Sequence, residues 1–536
     1  MSIRTYIKRN KFEFIFGGVL MVMMFAYSFP YVLQQGPKGF HIWRQTDGLS
    51  FARHYYDNGL DFSDPQISHL LFNDHTSAKT VGEFPGVYYF VAVLWKIFGI
   101  HEWIFRLVTL LISFAGLLAA HRLIRELIHQ PFWSTWIVAL LFTSPAVVFY
   151  SVGFIPDMHA IGFSLMACYF FYRYAQSRKI WLLYFTAFLF ALAGVIKPTA
   201  LIPFAALGAI LILEMIQSNG KNTVIWFHSK MHACFAFGSV VALNLGWIIW
   251  VRHYNNSFGG WFTPHDVFLP WHYSDQVMRN FLSMFREFLV NQLFSRITLF
   301  LLISILVLLL FSWKFLEKRA RSIFLLVVLG STAYALLFFK WDVHDYYALV
   351  LIPLPLTLFV IAIRTLANHQ SAILNWRPLR YFAILFLIYN IWYCTSNMQM
   401  RVNPKSEKLY LSSASEPEVD LFKYLMWSYD RKFAAMTEFE AYLKSWGINE
   451  NDLIVSLPDD SFNASLYLMH RRGWTSYESD VYTKTGMNLR IERGAKFLVV
   501  NDLEAAKGMG LPDHFISEKV GEYKNLIVFK LPDTIH

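Results

Sequence analysis

Apolar residues along this chain gather in long runs separated by short polar turns. Runs of spanning length lie at about 14–33, 103–121, 132–150, 158–175, 180–196, 198–214, 231–250, 296–314, 322–340, 346–363 and 381–397. Each holds roughly 17–20 residues, enough helix to cross a hydrocarbon core of about 30 Å. The pattern predicts a polytopic α-helical membrane protein with about 11 transmembrane helices. Lys197-Pro198 separates two of the runs, because proline cannot continue a helix cleanly. Two stretches have a different character. Phe84 to Gly99 is apolar but short, with Lys96 near its end. Val277 to Leu293 has the amphipathic spacing of a helix lying on a membrane surface.

Beyond residue 397 the pattern changes. Leu453 to Leu457, Lys496 to Val500 and Asn525 to Leu531 read as strands, and helical spacing fits near 418–446, 461–472 and 485–494. A small α/β domain over 398–536 is therefore expected beside a transmembrane domain over 1–397, whose first outer loop is 34–102.

Composition agrees with the membrane reading. The chain is 56% hydrophobic and 16% charged, against roughly 25% charge for soluble chains. Its net charge of +10 does not indicate nucleic-acid binding, because much of the Lys and Arg lies in short turns between apolar runs, where it orients the chain in the bilayer. If Phe84 to Gly99 only dips into the membrane, the turns on one side carry 18 basic residues and the short turns on the other carry Lys197 alone. If it spans, this bias reverses after the first helix. The positive-inside rule thus makes the stretch a juxtamembrane or re-entrant helix. It also places the N-terminus in the cytoplasm and the tail outside. The basic N-terminus runs into an apolar segment with no small-residue cleavage site, as in an uncleaved first helix. Cys168, Cys234 and Cys394 all lie in apolar runs, so the tail has no disulfide framework.

The outer loop from Phe40 to Gly59 collects His41, Arg44, Asp47, Arg53, His54 and Asp57 with five aromatics. A connecting loop needs only to be polar; this one has the make-up of an interfacial anchor or of a site. Thr46 is expected to cap a short helix that ends at Asn58-Gly59, which puts Asp47 in its first turn. Four further groups stand out. Asp157 lies in YSVGFIPDMHA, where a carboxylate can cap the next helix or serve a site. Glu83 precedes Phe84-Pro85. Lys197, in a very short outer turn, either snorkels to the interface or binds an anion. Trp341 to Tyr347 brings Asp342, His344, Asp345, Tyr346 and Tyr347 to the membrane surface, which is more charge than an aromatic belt needs. Carboxylates to accept protons, with cations and phenols to hold an oxyanion, suit a reaction on a lipid phosphate ester.

The order of these motifs is more specific than any one of them. A first helix is followed by Trp43-Arg44-Gln45-Thr46-Asp47 and by Arg53, Tyr56 and Gly59 at three-residue spacing. Then come Glu83-Phe84-Pro85 with its short apolar helix, Arg106 in EWIFRLVTLL, YSVGFIPD, Lys197-Pro198 and His344-Asp345-Tyr346-Tyr347. Over about residues 1–365 this resembles the bacterial relatives of the dolichyl-phosphate-mannose protein mannosyltransferases and the lipid A aminoarabinose transferase, GT-C-fold glycosyltransferases of the bacterial inner membrane. The tail resembles the extracytoplasmic domain that many of them carry.

The resemblance implies a polyprenyl-phosphate-sugar donor, a lipid or glycan acceptor in the cell envelope, and transfer with inversion on the outer face. It places the catalytic aspartate on Asp47 and the second acidic loop on Asp157. Lys197, Tyr346 and Tyr347, with Arg44 or Arg53, would hold the donor phosphate; Glu83, His344 and Asp345 are further site candidates. Glu83-Phe84-Pro85 stands where the eukaryotic protein mannosyltransferases have His-Pro-Pro, which speaks against a protein acceptor. The resemblance permits, without requiring, a divalent metal on Glu83 and His265; no cofactor is otherwise implied. The competing class is a lipid-linked glycan transporter or flippase. It would call for ionisable residues at mid-helix and a broken-helix repeat, whereas the charges here sit at helix mouths.

Overall fold

The computed structural model describes residues 10–216, 226–260, 269–337, 344–369, 371–403 and 416–532. The chain forms two compact units that interleave in sequence. One comprises 1–34, 106–247 and 265–419; the other comprises 35–105, 248–264 and 420–536. The single cut at 397/398 suggested by the hydropathy change is therefore not where the contacts divide. The segment 35–105 falls in one unit with the tail.

The first unit is helical. Across the described residues of the whole chain, five helices have the length and apolarity to cross a bilayer: Glu102–Ile128, Pro198–Ile216, Lys230–Ser257, Lys318–Leu337 and Asp345–His369. Gly86–Phe98, Pro131–Leu141, Ile180–Ile196 and Arg296–Phe311 are shorter apolar helices. Several runs expected as single spans are interrupted, each for a local reason. The 14–33 run forms helix Lys11–Ala26, then turns through Ser28 at φ 58° and restarts as Phe29–Val32 around Pro30. The 132–150 run breaks after Leu141; Ser144 accepts the Val147 N–H and caps a new turn that begins at Pro145. Pro198 opens a 3₁₀ turn to Leu201 before helix Ile202–Ile216.

Helices Asp157–Ser177 and Ile180–Ile196 form a hairpin turned by Arg178 at φ 60°. Leu183, Ala187 and Phe190 bury against Ala167, Phe171 and Tyr174. The 157–177 helix also meets the 102–128 helix backbone to backbone. A Cβ on Gly116 would lie 2.7 Å from the Gly162 Cα, and one on Gly162 would lie 2.8 Å from the Ile112 carbonyl oxygen. Small residues allow this approach, the usual route to close packing where water supplies no hydrophobic drive.

The second unit combines two helices with a sheet. Helix Ile42–Asp57 packs on helix Gly86–Phe98. The latter has 13 residues, about 20 Å of helix, too short to span, as its sequence suggested. It buries Tyr88, Val91, Ala92 and Trp95 on one face. The tail forms a five-stranded sheet in the order β2-β1-β3-β5-β4. β1 (Leu453–Leu457), β2 (Gly473–Thr475) and β3 (Ala495–Val500) are parallel, while β4 (Lys519–Tyr523) and β5 (Leu526–Lys530) close it antiparallel. β2 and β4 escaped the sequence reading, being respectively three residues long and mostly polar.

Helical spacing over 418–446 resolves into Glu416–Lys432, the 3₁₀ turn Ala434–Glu438 and Glu440–Ser445. The 461–472 stretch keeps only Ala464–Leu468 as helix, and Leu503–Gly508 is a helix not anticipated. The segment around His69 and Leu70 extends the sheet edge at β2. The Leu70 N–H donates to the Gly473 carbonyl at 2.8 Å, and Trp474 Nε1 donates to the Leu70 carbonyl at 3.0 Å. Gly473 sits at φ 148°, where a Cβ would strike the Ile454 carbonyl oxygen at 1.8 Å, so only glycine lets β2 lie this close to β1.

Candidate active-site residues

In the second unit, helix Ile42–Asp57 starts five residues earlier than expected, with His41 at its N-cap. Thr46 is no cap. Its hydroxyl donates back to the Ile42 and Trp43 carbonyls at 3.0 and 2.9 Å. The expected end does hold, with Asn58 Nδ2 donating to the His54 carbonyl at 3.1 Å. Asp47 consequently lies in the second turn and is 6% exposed. Leu49 and Ala52, fully buried, anchor its helix.

A compact polar group surrounds Asp47. Arg44, one turn earlier, places Nη1 3.6 Å from Asp47 Oδ2 and donates through Nη2 to Glu83 Oε1 at 2.5 Å. The Tyr88 hydroxyl donates to the same Glu83 oxygen at 2.7 Å. The second Asp47 oxygen, Oδ1, accepts from Asn463 Nδ2 at 2.9 Å. Burial pushes the Asp47 carboxyl up, and Glu83 adds to this; Arg44 and the Asn463 hydrogen bond pull it back, leaving it at about 6. A carboxylate with that affinity is a useful proton acceptor near neutral pH. His54, two turns on, is held down to about 4 mainly by burial and is neutral there.

Arg53 does not join this group. It pairs with Asp57 at 2.8 Å, an ordinary i, i+4 pair on the outer face of the helix. Glu83 is committed to a guanidinium and a phenol, and among the described residues no three His, Cys, Asp or Glu side chains converge as a metal set. His265 and Asp342 lie outside the described residues.

The first unit gathers most of the remaining candidates. Asp157 is the first residue of helix Asp157–Ser177, after Pro156 at the N-cap. It forms an ion pair with Lys197. Lys197 does not reach for open solvent: Nζ also lies over the Tyr346 and Tyr347 rings, 5.2 and 4.7 Å from their centroids. These rings stack on each other at 4.8 Å, with the His344 ring 5.5 Å from that of Tyr346. The Tyr334 hydroxyl donates to the Tyr347 carbonyl at 2.7 Å. An ammonium framed by one carboxylate and two phenol rings can hold a phosphate oxyanion.

Asp345 turns away from this group. It accepts from the Tyr150 hydroxyl and from Arg401 Nη2, each at 2.5 Å, and is wholly buried. The same Arg401 nitrogen donates to Gln292 Oε1 at 2.5 Å; Gln292 and Asn291 in turn donate to Glu418 at 2.7 and 3.1 Å. Arg106 donates to the Val152 carbonyl at 2.6 Å and lies over the Phe154 ring at 4.0 Å, bracing the turn before Asp157.

Sequence reasoning missed Asn463, Tyr88, Tyr150 and Arg401. Only Arg401 left a trace, as a lone guanidinium just past an apolar run.

Residues 78–247 match the family described as dolichyl-phosphate-mannose-protein mannosyltransferase. The chain is similar in structure to ArnT from Cupriavidus metallidurans in the apo state, with TM-score 0.56 and 13% identity, covering 98% of this chain and 99% of that one. Against the same protein bound to undecaprenyl phosphate the TM-score is 0.56 at 12% identity, covering 97% and 98%. A weaker likeness, TM-score 0.41 at 13% identity, to arabinosyltransferase EmbB from Mycobacterium smegmatis covers 79% of this chain and 42% of that one. No curated protein matches it in sequence.

The chain as a whole thus has an ArnT-like fold, and residues 78–247 within it match the mannosyltransferase family model.

Proposed function

We propose that this protein transfers a sugar from a polyprenyl-phosphate donor to a hydroxyl of a lipid or glycan acceptor at the outer face of the bacterial inner membrane, with inversion at the anomeric carbon. The observation that carries the reading is Asp47, a buried carboxyl with its pKa at about 6, held by Arg44 and Asn463. That ArnT binds undecaprenyl phosphate supports a lipid-phosphate donor.

In the reaction proposed, Asp47 takes the proton of the acceptor hydroxyl as its oxygen attacks C1 of the sugar. The bond from C1 to the phosphate oxygen breaks through an oxocarbenium-like transition state, and its electron pair leaves with the polyprenyl phosphate. Lys197 is assigned to the growing phosphate charge, with Tyr346 and Tyr347 beside it; Asp157 holds Lys197 in place. Arg44 is assigned to Asp47 and Glu83. Because Glu83 already accepts from Arg44 and Tyr88, no step is routed through a metal.

The test is release of free undecaprenyl phosphate by the purified full-length protein from undecaprenyl phosphate carrying radiolabelled mannose or aminoarabinose, with membrane glycolipids as acceptors. Release with Asp47→Asn silent supports the reading. Donor returned intact, but moved across a vesicle membrane, would support a transporter instead. The sidedness follows from the 18 basic residues of the inner turns. A cysteine placed in the tail of a Cys234→Ser background is expected to react with an impermeant maleimide on intact spheroplasts; reaction only after lysis would reverse the topology.

A further inference from the structure

We infer that Asn463, carried by the tail, is a positioning residue for the Asp47 carboxylate, fixing one of its oxygens while Arg44 faces the other. The inference rests on the reading of Asp47 as the base.

Asn463 is fully buried. Its amide orientation is dictated by its neighbours. The Ser68 backbone N–H, which can only donate, lies 3.0 Å from Asn463 Oδ1. Nδ2 must then face Asp47 Oδ1, at 2.9 Å, as a donor. Asn463 stands at the N-cap of helix Ala464–Leu468, where asparagine ordinarily accepts from the first-turn N–H groups. Here it makes no such bond. Its side chain serves Ser68 and Asp47 instead of its own helix.

The loop that carries it is rigidly built. Asp459, fully buried, accepts from the Ser461 N–H at 2.9 Å, the Ser461 hydroxyl at 2.6 Å and the Ser465 N–H at 2.9 Å. The Thr475 hydroxyl on β2 ties down the Ser461 carbonyl at 2.6 Å. Ser68 is fixed as well, since its carbonyl accepts the Gly473 N–H at 3.3 Å. Sheet, loop and outer segment therefore aim one amide at one carboxylate oxygen, and a donor aimed there favours the ionised form. The charged and titratable groups facing Asp47 are Arg44 on its own helix, Glu83 from the segment before helix Gly86–Phe98, and Tyr88 on that helix. Asn463 is the neutral fourth partner.

The experiment is direct titration of Asp47 in the full-length protein in nanodiscs. The protonated-carboxyl stretch is followed by infrared difference spectroscopy and assigned by its loss in Asp47→Asn. Wild type is expected to titrate near 6. Asn463→Ala is expected to move the midpoint up by about one pH unit, the size of one hydrogen bond to a charged group. Asn463→Asp keeps the acceptor for Ser68 but sets a second carboxyl against Asp47, so its midpoint is expected to rise further. It also serves if the alanine variant does not fold. Midpoints unmoved in the folded variants would overturn the inference.

A second arm measures kcat/KM against pH with undecaprenyl-phosphate mannose. The acid limb should move with the midpoint and activity should recover above it; an equal loss at every pH would indicate a merely structural role and overturn the inference. If Asp47→Asn stays active while the infrared midpoint still shifts, the assignment of Asp47 as base fails and its hydrogen bond to Asn463 stands.

Discussion

Asp345 and Arg401 form an ion pair from which water is wholly excluded, with Nη2 2.5 Å from Oδ2 and both side chains 0% exposed. The pair pins the start of the 3₁₀ turn Asp345–Leu351, whose second and third residues are the tyrosines over Lys197. Removing one partner of a buried pair leaves an uncompensated charge, which costs about 3–5 kcal/mol. Arg401→Leu is therefore expected to lower the melting temperature sharply or to prevent accumulation. Replacing both partners together, Asp345→Asn with Arg401→Gln, is expected to recover more than half of the loss in a double-mutant cycle. A fully stable Arg401→Leu would show that the turn is held by something else.

Asp47→Asn is expected to reduce transfer by about 10²–10⁴-fold, the usual contribution of a general base. It should not reduce stability at neutral pH. Asp47 has its folded pKa raised from 3.8 to about 6, so its ionisation disfavours the fold. That effect is absent below the unfolded value, sets in as pH rises between the two, and is complete above about 6, where it amounts to about 3 kcal/mol. Melting curves should thus favour the variant increasingly from pH 4 to pH 7 and by a constant margin beyond. A variant less stable than wild type at pH 8 would contradict the sign.

Lys197→Ala is expected to weaken use of limiting donor. Loss of one charge-assisted phosphate contact corresponds to about 1.5–3 kcal/mol in kcat/KM. The same change unpairs Asp157, so Lys197→Arg is the informative companion. It keeps the charge for Asp157 but presents a planar fork where a point charge sat, and it should retain stability while restoring only part of the donor use. Unchanged turnover at limiting donor in both variants would remove Lys197 from the phosphate site.

Gly162→Ala places a methyl group 2.8 Å from the Ile112 carbonyl oxygen, against backbone that cannot rotate aside. Overpacking of this kind costs about 1–3 kcal/mol. A fall in thermal stability in detergent is expected, and Gly238→Ala, with nothing within 4 Å of its added Cβ, is the control. Equal melting temperatures for the two would argue against a tight crossing.

Features set by neighbouring residues were legible in the sequence: the Lys197-Pro198 break, the end of the outer helix at Asn58, the short Gly86–Phe98 helix and three of five strands. Hydropathy also marked where the apolar runs lie. It could not show their interruptions at Ser28 and Ser144, because a run stays apolar through a turn that proline imposes. Asp47, Asp157 and Lys197 drew notice in the sequence because their charges stand close to apolar runs. Their partners were not. Asn463 belongs to a loop resembling any polar turn, and Asp345 reads like a site residue until Arg401, 56 positions later, is seen to claim it. Such pairings are made by tertiary contact, which local spacing does not encode.

The hydrogen bond from Asn463 to Asp47 joins residues 416 positions apart. At roughly 5–20 residues per second, a growing chain carries helix Ile42–Asp57 for about 20–80 s before the amide that meets its carboxylate exists. The edge pairing of Leu70 with Gly473 waits equally long. A chain cut short anywhere before β2 can thread its early helices into the bilayer yet never assemble the unit that holds Asp47. On the proposed reading of Asp47, transfer waits for a segment made near the end of synthesis.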